Sequence, residues 1–213
     1  MCAIFGSFSR DKFLELAELN SYRGAHSFSI SYYNPLNGNI DQSVKAIGAL
    51  DPKMVETRMG VYYIGHIQAP TSANKTSRAI HPSYTTGKAT RSLLWHNGIL
   101  KEDCIHELQD YFDTNEVWDT HLLHKWIEEG NSLDSIDGTF SCLRHHDHIL
   151  YLFRNEISPM FADGQLNISS TKFEGSAKTS ANKFLRMDFA NYELVEIDTF
   201  KTKENPYYFA NGA

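Results

Sequence analysis

The stretch MCAIFGSF, residues 1–8, combines a penultimate cysteine with a short apolar run. Residues 3–8 have the length and composition of a buried β-strand. Cys2 is therefore either a buried residue at the start of that strand or, after removal of Met1, the new N-terminal residue of the chain. In the second case one residue carries both a thiol and an α-amine, and the amine can take the proton of the thiol. The stretch predicts a strand and leaves open whether its first residue is a nucleophile.

The composition of the chain limits the classes of partner. Its 213 residues carry a formal net charge of -6, and no block rich in lysine or arginine marks a surface for nucleic acid or an anionic membrane. The three cysteines, Cys2, Cys104 and Cys142, form no even disulfide framework, which favours a reducing compartment. Residues 1–8 lack the basic start and the length of a signal peptide, and no run approaches the roughly 20 apolar residues that span a bilayer. We expect a cytoplasmic protein with no membrane segment and no nucleic-acid partner.

The pattern of apolar residues predicts a sheet-rich α+β domain. Alternation in SFSISYY (27–33) indicates a strand, and the turn signal NPLNGN follows it. A loop over residues 69–88 connects two further strands and has the length of a binding loop. Because no repeat, low-complexity segment or linker interrupts the pattern, residues 1–213 are expected to form one domain. The predicted helices are residues 11–19, 102–112 and 117–130, and the predicted strands are residues 3–8, 27–33, 60–68, 92–96, 139–143 and 149–153.

The stretch WHNGIL (95–100) places an Asn-Gly pair directly after an apolar strand. Asn-Gly is the strongest short signal for a hairpin turn. A helical pattern, not a second alternating strand, comes next, which weakens that interpretation. Alternatively, the amide of Asn97 and the backbone N–H of Gly98 lie on one tight turn and aim two donors at a developing oxyanion.

Eight short motifs together resemble class II glutamine amidotransferase domains. These are the N-terminal nucleophile (Ntn) domains of glucosamine-phosphate synthase, asparagine synthetase and amidophosphoribosyltransferase. The motifs occur in the order seen in that family and cover almost the whole chain. They are MCAIFG (1–6), YRGAHS (22–27), GHIQAPTS (65–72), AIHP (79–82), HNGIL (96–100), WDTH (118–121), DGTF (137–140) and RNEISPMF (154–161).

The resemblance implies a four-layer αββα sandwich of two mainly antiparallel sheets, with amidohydrolase chemistry and neither a metal nor an organic cofactor. Cys2 would attack the side-chain amide of glutamine, release ammonia and form a γ-glutamyl thioester that water then cleaves. Asn97 and Gly98 match the oxyanion pair of the family. Members of the family usually pass the ammonia to a fused synthase domain. Here we expect a single amidotransferase-like domain with no fused synthase, and a separate synthase as the ammonia acceptor.

The same resemblance assigns roles to residues that would bind the substrate. Asp119 matches the acidic residue that holds the α-ammonium of glutamine, and Thr71 matches a threonine that lines the pocket. Arg23 and Gly24 match an arginine-glycine turn beside the nucleophile, although His26 replaces the acidic residue that usually follows this turn. Each position also has an ordinary structural interpretation: Asp119 as an acid at a helix start, Arg23 as a surface charge and Thr71 as a loop cap.

Gln68 is the main departure from the family pattern, in which an arginine at this position receives the α-carboxylate of glutamine. A glutamine side chain offers N–H donors without a charge, and this change is expected to weaken binding by about ten-fold or more. Lys75, Arg78 or Arg91 could substitute for the missing arginine. Two alternatives remain: a stand-alone amidase for a γ-glutamyl or peptide amide without a free carboxylate, or a catalytically silent interaction module.

The histidines are expected to have structural roles. RHHDH (144–148) lies between two strands, so it predicts a hairpin tip in preference to a metal site. His66, His81 and His96 fall inside the family-like motifs and are expected to be hydrogen-bonded residues of the pocket wall, because the α-amine of Cys2 already provides a base. Cys104 and Cys142 are expected to be buried thiols.

Overall fold

The computed structural model describes residues 2–69, 79–86 and 91–203, without the side chains of residues 42, 43 and 86. Its helices are α1 (Arg10–Asn20), α2 (Glu102–Phe112) and α3 (Asp119–Glu128). Its strands are β1 (Cys2–Ser7), β2 (Ser27–Asn34), β3 (Asn39–Ile47), β4 (Tyr62–Gln68), β5 (Ser83–Thr86), β6 (Arg91–Leu100), β7 (Gly138–His146), β8 (Ile149–Arg154), β9 (Phe161–Ala162), β10 (Ile168–Ser169), β11 (Ala177–Lys178), β12 (Lys183–Asp188) and β13 (Glu193–Thr199).

The strands form two antiparallel sheets. Sheet A has the strand order β11-β9-β10-β1-β4-β2-β3, and sheet B has the order β13-β12-β8-β7-β6-β5. The first strand, β1, is buried along its whole length near the middle of sheet A, between β10 and β4. A fully buried central strand requires cover on both faces, which explains the nearly continuous apolar run of residues 3–8.

Three apolar clusters separate four layers. The first packs α1 against sheet A, the second fills the space between the sheets, and the third packs α2 and α3 against sheet B. Alternation along β1 connects two of them, since Ile4 lies in the cluster between the sheets and Phe5 in the cluster under α1. Cys104 and Cys142 are both buried in the third cluster, as predicted. The predicted α+β fold with αββα layers and two antiparallel sheets is confirmed.

Local signals predicted most of the elements well. Ser9 caps α1 by accepting a hydrogen bond from the Lys12 N–H at 3.3 Å, and α3 ends near Gly130, which has a φ of 77°. The RHHDH stretch is a hairpin tip as predicted, because β7 and β8 pair directly around a turn at Asp147 and His148. No helix within the described ranges is long and apolar enough to cross a bilayer.

Two predictions about the middle of the chain were wrong. Residues 83–86 were expected to belong to a loop, yet they form β5, the edge strand that pairs with β6. The strand predicted to end at residue 96 continues to Leu100, so Asn97 and Gly98 do not lie on a tight turn. Both residues pair with β7, Asn97 opposite Ser141 and Gly98 opposite Phe140. Pairing with a distant strand therefore overrides the local turn signal of the Asn-Gly pair.

Candidate active site

Cys2 lies at one end of the space between the sheets. In the ladders of sheet A, Gln68 is directly opposite Cys2 on one side and Ser27 on the other. Residues opposite each other in antiparallel strands project their side chains from the same face, so these three form a row across the sheet. The face is the one toward sheet B, because Ile4 and Ile64, which share the alternation of Cys2 and Gln68, lie in the cluster between the sheets. At this end of the space between the sheets, the apolar core is followed by a polar row formed by Cys2, Gln68 and Ser27.

Asn97 faces this row from sheet B. Trp95 precedes it by two residues on the same face of β6 and lies in the cluster between the sheets. The Nδ2 of Asn97 donates a hydrogen bond to the Oγ of Ser170 at 3.1 Å, and the backbone N–H of Ile4 donates to the same Oγ at 3.0 Å. One hydroxyl therefore joins the side chain of Asn97 to the strand that begins with Cys2.

Gly98 occupies a position that excludes any side chain. A Cβ atom there would lie 1.9 Å from the carbonyl oxygen of Thr139 and 2.5 Å from the Nε2 of His96. Both neighbours are fixed, one by the β6–β7 ladder and the other by its own hydrogen bonds. The close approach of β7 explains the glycine without any appeal to a special backbone conformation.

Asp119 is the first residue of α3 and is partly buried. Its Oδ1 accepts a hydrogen bond from the Thr120 N–H at 2.7 Å, and its Oδ2 accepts one from the Leu100 N–H at 3.3 Å. The carboxylate therefore stabilises the start of α3 and ties it to the end of β6, where Asn97 and Gly98 lie. Among the described residues it forms no ion pair, and it accepts hydrogen bonds from the backbone N–H groups of Thr120 and Leu100.

The three predicted pocket-wall histidines are buried and hydrogen-bonded, as expected. The rings of His66 and His81 stack with centroids 3.8 Å apart, and a ring nitrogen of His66 lies 3.1 Å from the His96 carbonyl oxygen. The Thr120 hydroxyl lies 3.1 Å from the Nε2 of His81 and 3.0 Å from the Nδ1 of His96. The Nε2 of His96 is 3.2 Å from the Thr139 carbonyl oxygen, which can only accept, so this nitrogen carries a proton.

Gln68 connects the histidines to the polar row. Its side chain is 1% exposed, and its Oε1 lies 3.4 Å from both the Ser27 Oγ and the His81 Nδ1. The side chain is held from two sides inside the protein. It adds polarity but no charge to the wall opposite Cys2.

The arginine-glycine turn packs on the end of β4. A Cβ atom on Gly24 would lie 2.3 Å from the Ala69 nitrogen and 2.4 Å from the Gln68 carbonyl carbon, so only glycine fits there. The Nε of Arg23 donates to the Thr171 Oγ1 at 2.9 Å, and its Nη2 donates to the Ser170 carbonyl oxygen at 3.4 Å. The turn therefore packs against Gln68, the residue opposite Cys2. It is also hydrogen-bonded to Ser170, which bonds Asn97.

Sequence reasoning missed the segment Ser169–Thr171, in which Ser170 and Thr171 contact predicted site residues and Ser169 bonds α1 instead. Ser170 bonds Asn97, Thr171 bonds Arg23, and the Ser169 Oγ accepts from the Asn20 Nδ2 at 2.8 Å. No local signal marks these residues, because their partners are far away in the sequence.

One predicted site residue, Thr71, lies outside the described residues, as do Lys75 and Arg78. The third suggested substitute, Arg91, is exposed, and its guanidinium carbon lies 5.1 Å from the centre of the Tyr84 ring. Within the described part of the chain, no group of three or more His, Cys, Asp or Glu side chains is arranged to hold a metal ion.

Comparison with known proteins finds a relative by sequence. No family model matches the chain. Over 143 residues it is 29% identical to the glutamine--fructose-6-phosphate aminotransferase [isomerizing] of Streptococcus agalactiae serotype III (strain NEM316). The match covers 62% of this chain and 23% of that protein, so the chain spans about a quarter of the length of its relative.

Two solved structures show the fold. One is the glutamine phosphoribosylpyrophosphate (PRPP) amidotransferase from B. subtilis complexed with ADP and GMP, with a TM-score of 0.65, 14% identity, and coverage of 92% of this chain and 49% of that chain. The other is described as the allosteric regulatory enzyme of purine biosynthesis, with a TM-score of 0.68, 14% identity, and coverage of 96% and 50%. The chain thus shares the fold of these two structures, and this likeness agrees with its resemblance to class II glutamine amidotransferase domains.

Proposed function

We propose that the chain hydrolyses the side-chain amide of glutamine, with Cys2 as its N-terminal nucleophile. The observation that carries the proposal is the position of Cys2 at the polar end of the space between the sheets, in the same row as Gln68 and linked through Ile4 and Ser170 to Asn97. An ordinary strand residue does not require this polar surrounding. The amidotransferase-like fold and the sequence likeness to an aminotransferase that uses glutamine support the same conclusion.

The proposed reaction begins after Met1 is removed. The α-amine of Cys2 takes the thiol proton, and the sulfur attacks the amide carbon of the substrate side chain. The carbonyl oxygen becomes an oxyanion that accepts hydrogen bonds from the Asn97 amide and the Gly98 N–H. The intermediate collapses, the C–N bond breaks, and the leaving nitrogen receives a proton from the ammonium of Cys2 and departs as ammonia. Water then attacks the thioester with the amine again as base, which releases glutamate and restores the thiol.

Asp119 is the proposed site for the α-ammonium of the substrate. A partly buried carboxylate without an ion pair in the described residues can accept a charge-assisted hydrogen bond from a cation. Its two backbone hydrogen bonds fix its orientation relative to β6 and therefore relative to Asn97 and Gly98. Arg23, Gly24 and Thr71 complete the proposed binding site, the first two by supporting the wall that Gln68 forms.

The product ammonia is proposed to pass to a synthase partner. One of the solved structures that share the fold is an amidotransferase, which supports this step.

Gln68 affects how well the substrate binds, because it provides no charge for the α-carboxylate. We therefore expect a higher KM for glutamine than an arginine at this position would give.

The test is glutamine-dependent ammonia release by protein whose intact mass shows that Met1 is absent. Cys2→Ala should lower kcat by at least about 10³-fold, while circular dichroism stays unchanged. A diazo-ketone analogue of glutamine should add once to the wild-type protein, at Cys2. Cys104→Ala is the matched control, since Cys104 is also buried but lies on the face of α2 that packs against sheet B, and it should keep both activity and labelling. Activity in a protein that retains Met1, or labelling at Cys142, would contradict the assignment of Cys2.

A further inference from the structure

We propose that Ser170 is a positioning residue that orients the Asn97 amide relative to the strand carrying Cys2. This inference rests on the proposed function, because it takes Asn97 to be an oxyanion donor. Ser170 matches none of the motifs that pointed to the site. Its place in the reaction follows only from the three-dimensional contacts.

The Ser170 hydroxyl is a shared acceptor between the two sheets. Its Oγ accepts from the Ile4 N–H at 3.0 Å and from the Asn97 Nδ2 at 3.1 Å. A hydroxyl oxygen has two acceptor lone pairs, so these two donors use its full accepting capacity. The residue is 0% exposed, and water therefore cannot replace either bond in the folded protein.

The backbone of Ser170 holds the hydroxyl in place. Its N–H donates to the Ile4 carbonyl oxygen at 2.9 Å, so both backbone groups of Ile4 bond the same residue. Its own carbonyl oxygen accepts from the Arg23 Nη2 at 3.4 Å. Ser170 is consequently fixed to β1 at Ile4, two residues after Cys2. Its position relative to the proposed nucleophile is therefore set by β1.

This anchoring has a direct consequence for Asn97. The side-chain amide is planar and carries two N–H groups on Nδ2. When one N–H is held by Ser170, the rotation of the amide is fixed and so is the direction of the second N–H. An oxyanion donor stabilises the transition state only if its direction is set before the reaction, so Ser170 would act on kcat through Asn97.

The experiment compares ammonia release by Ser170→Ala, Asn97→Ala and the double variant. We expect Ser170→Ala to lower kcat by about 10- to 100-fold with little change in KM, and Asn97→Ala to lower it by about 10²- to 10³-fold. If Ser170 acts through Asn97, the double variant will be no slower than Asn97→Ala alone. Fully multiplicative effects, or a Ser170→Ala protein with normal kcat, would overturn the inference.

Ser169→Ala is the matched control. Ser169 is equally buried, and its hydroxyl also accepts two hydrogen bonds, from the Asn20 Nδ2 at 2.8 Å and the Thr171 N–H at 3.0 Å. It should lose thermal stability to a similar degree as Ser170→Ala while its kcat stays close to that of the wild type. An equal loss of kcat in both variants would mean that the segment has only a structural role, and would refute the positioning role of Ser170.

Two further measurements keep the test decisive. Alkylation of Cys2 by iodoacetamide, mapped by mass spectrometry, forms no oxyanion and should proceed at the same rate in Ser170→Ala. If Ser170→Ala does not fold, Ser170→Cys keeps a similar shape with a weaker acceptor and should show an intermediate kcat; a wild-type kcat would overturn the inference. If Cys2→Ala releases ammonia as fast as the wild-type protein, the proposed function itself is refuted. The two failures are therefore distinguishable.

Discussion

The two ends of α3 each carry a carboxylate, and their surroundings differ sharply. At the C-terminal end, the Glu128 carboxylate lies 2.7 Å from the Arg144 guanidinium, 3.2 Å from the His146 Nδ1 and 2.6 Å from the Ser92 Oγ. At the N-terminal end, Asp119 accepts from backbone N–H groups and forms no ion pair in the described part of the chain.

This difference separates a charge that the protein neutralises for itself from a charge that is available to a ligand. Glu128 has a permanent cation beside it and is mostly buried, so its interactions contribute to folding. In the proposed function, Asp119 gains most from the α-ammonium that arrives with the substrate. We therefore expect changes at Glu128 to alter stability with little effect on the reaction, and changes at Asp119 to alter substrate binding with a smaller effect on stability.

The largest effect is expected for Glu128→Gln. This variant keeps the shape of the side chain but leaves the mostly buried Arg144 guanidinium without its counter-charge, which should lower the free energy of unfolding by about 3 to 5 kcal/mol. Urea denaturation measures the loss, and kcat per folded molecule should remain near that of the wild type. Glu129→Gln is the control, because the neighbouring Glu129 is exposed, and its effect should stay within about 0.5 kcal/mol. A large loss of kcat in folded Glu128→Gln would show that Glu128 also acts in the reaction, and would contradict the expected difference between the two ends of α3.

Acid should remove the same stabilisation. Burial alone would raise the pKa of Glu128, but hydrogen bonds from His124 and Ser92 and the charge of Arg144 lower it from 4.5 to about 2. Because the folded-state pKa lies below the unfolded value, the contribution is fully present above about pH 5 and is lost as the pH falls toward 2.

The difference in unfolding free energy between wild type and Glu128→Gln should therefore shrink by on the order of 2 to 3 kcal/mol between pH 6 and pH 2. Urea midpoints measured at several pH values give this difference directly. A constant difference across the range would show that the Glu128 carboxylate does not titrate in this window.

Asp119→Asn tests the other end of α3. Loss of the charge at unchanged shape should raise the KM for glutamine by about 10- to 100-fold, since a hydrogen bond to a charged group contributes roughly 1.5 to 3 kcal/mol. The melting temperature should fall modestly, because the asparagine amide has one accepting oxygen for the two backbone N–H groups that the carboxylate binds. A substrate analogue without the α-amine should show no difference between wild type and variant, and a difference there would place the role of Asp119 elsewhere.

The sequence predicted a structural feature well where the residues that cause it are close together in the chain. The apolar run of β1, the helix α1 and the hairpin at residues 144–148 follow from neighbouring residues, and the sequence predicted all three. The extended conformation of Asn97 and Gly98 follows from pairing with β7, some 40 residues later, so the local Asn-Gly signal was misleading. Ser170 lies 166 residues from its partner Ile4, and a serine in a turn-rich segment carries no signal of such a contact.

The smallest expected effect concerns Gln68, where the sequence departs from the family pattern. If free glutamine is the substrate, Gln68→Arg should provide a bidentate partner for the α-carboxylate and lower the KM by about ten-fold, with little change in kcat. Gln68 is 1% exposed, so an arginine would be a buried cation until substrate binds. The variant should therefore melt at a lower temperature than the wild type and be stabilised more strongly by glutamine.

Gln68→Met separates charge from side-chain size in this test, because it has a similar length and no charge, and its KM should not fall. Glutamine whose α-carboxylate is replaced by an amide provides the second comparison. With this substrate Gln68→Arg should raise the KM, since the buried guanidinium then meets no anion. If instead the wild-type protein already binds glutamine tightly and arginine brings no improvement, another residue holds the carboxylate. If the wild type turns over the amide far better than glutamine, the neutral Gln68 selects substrates without a free carboxylate.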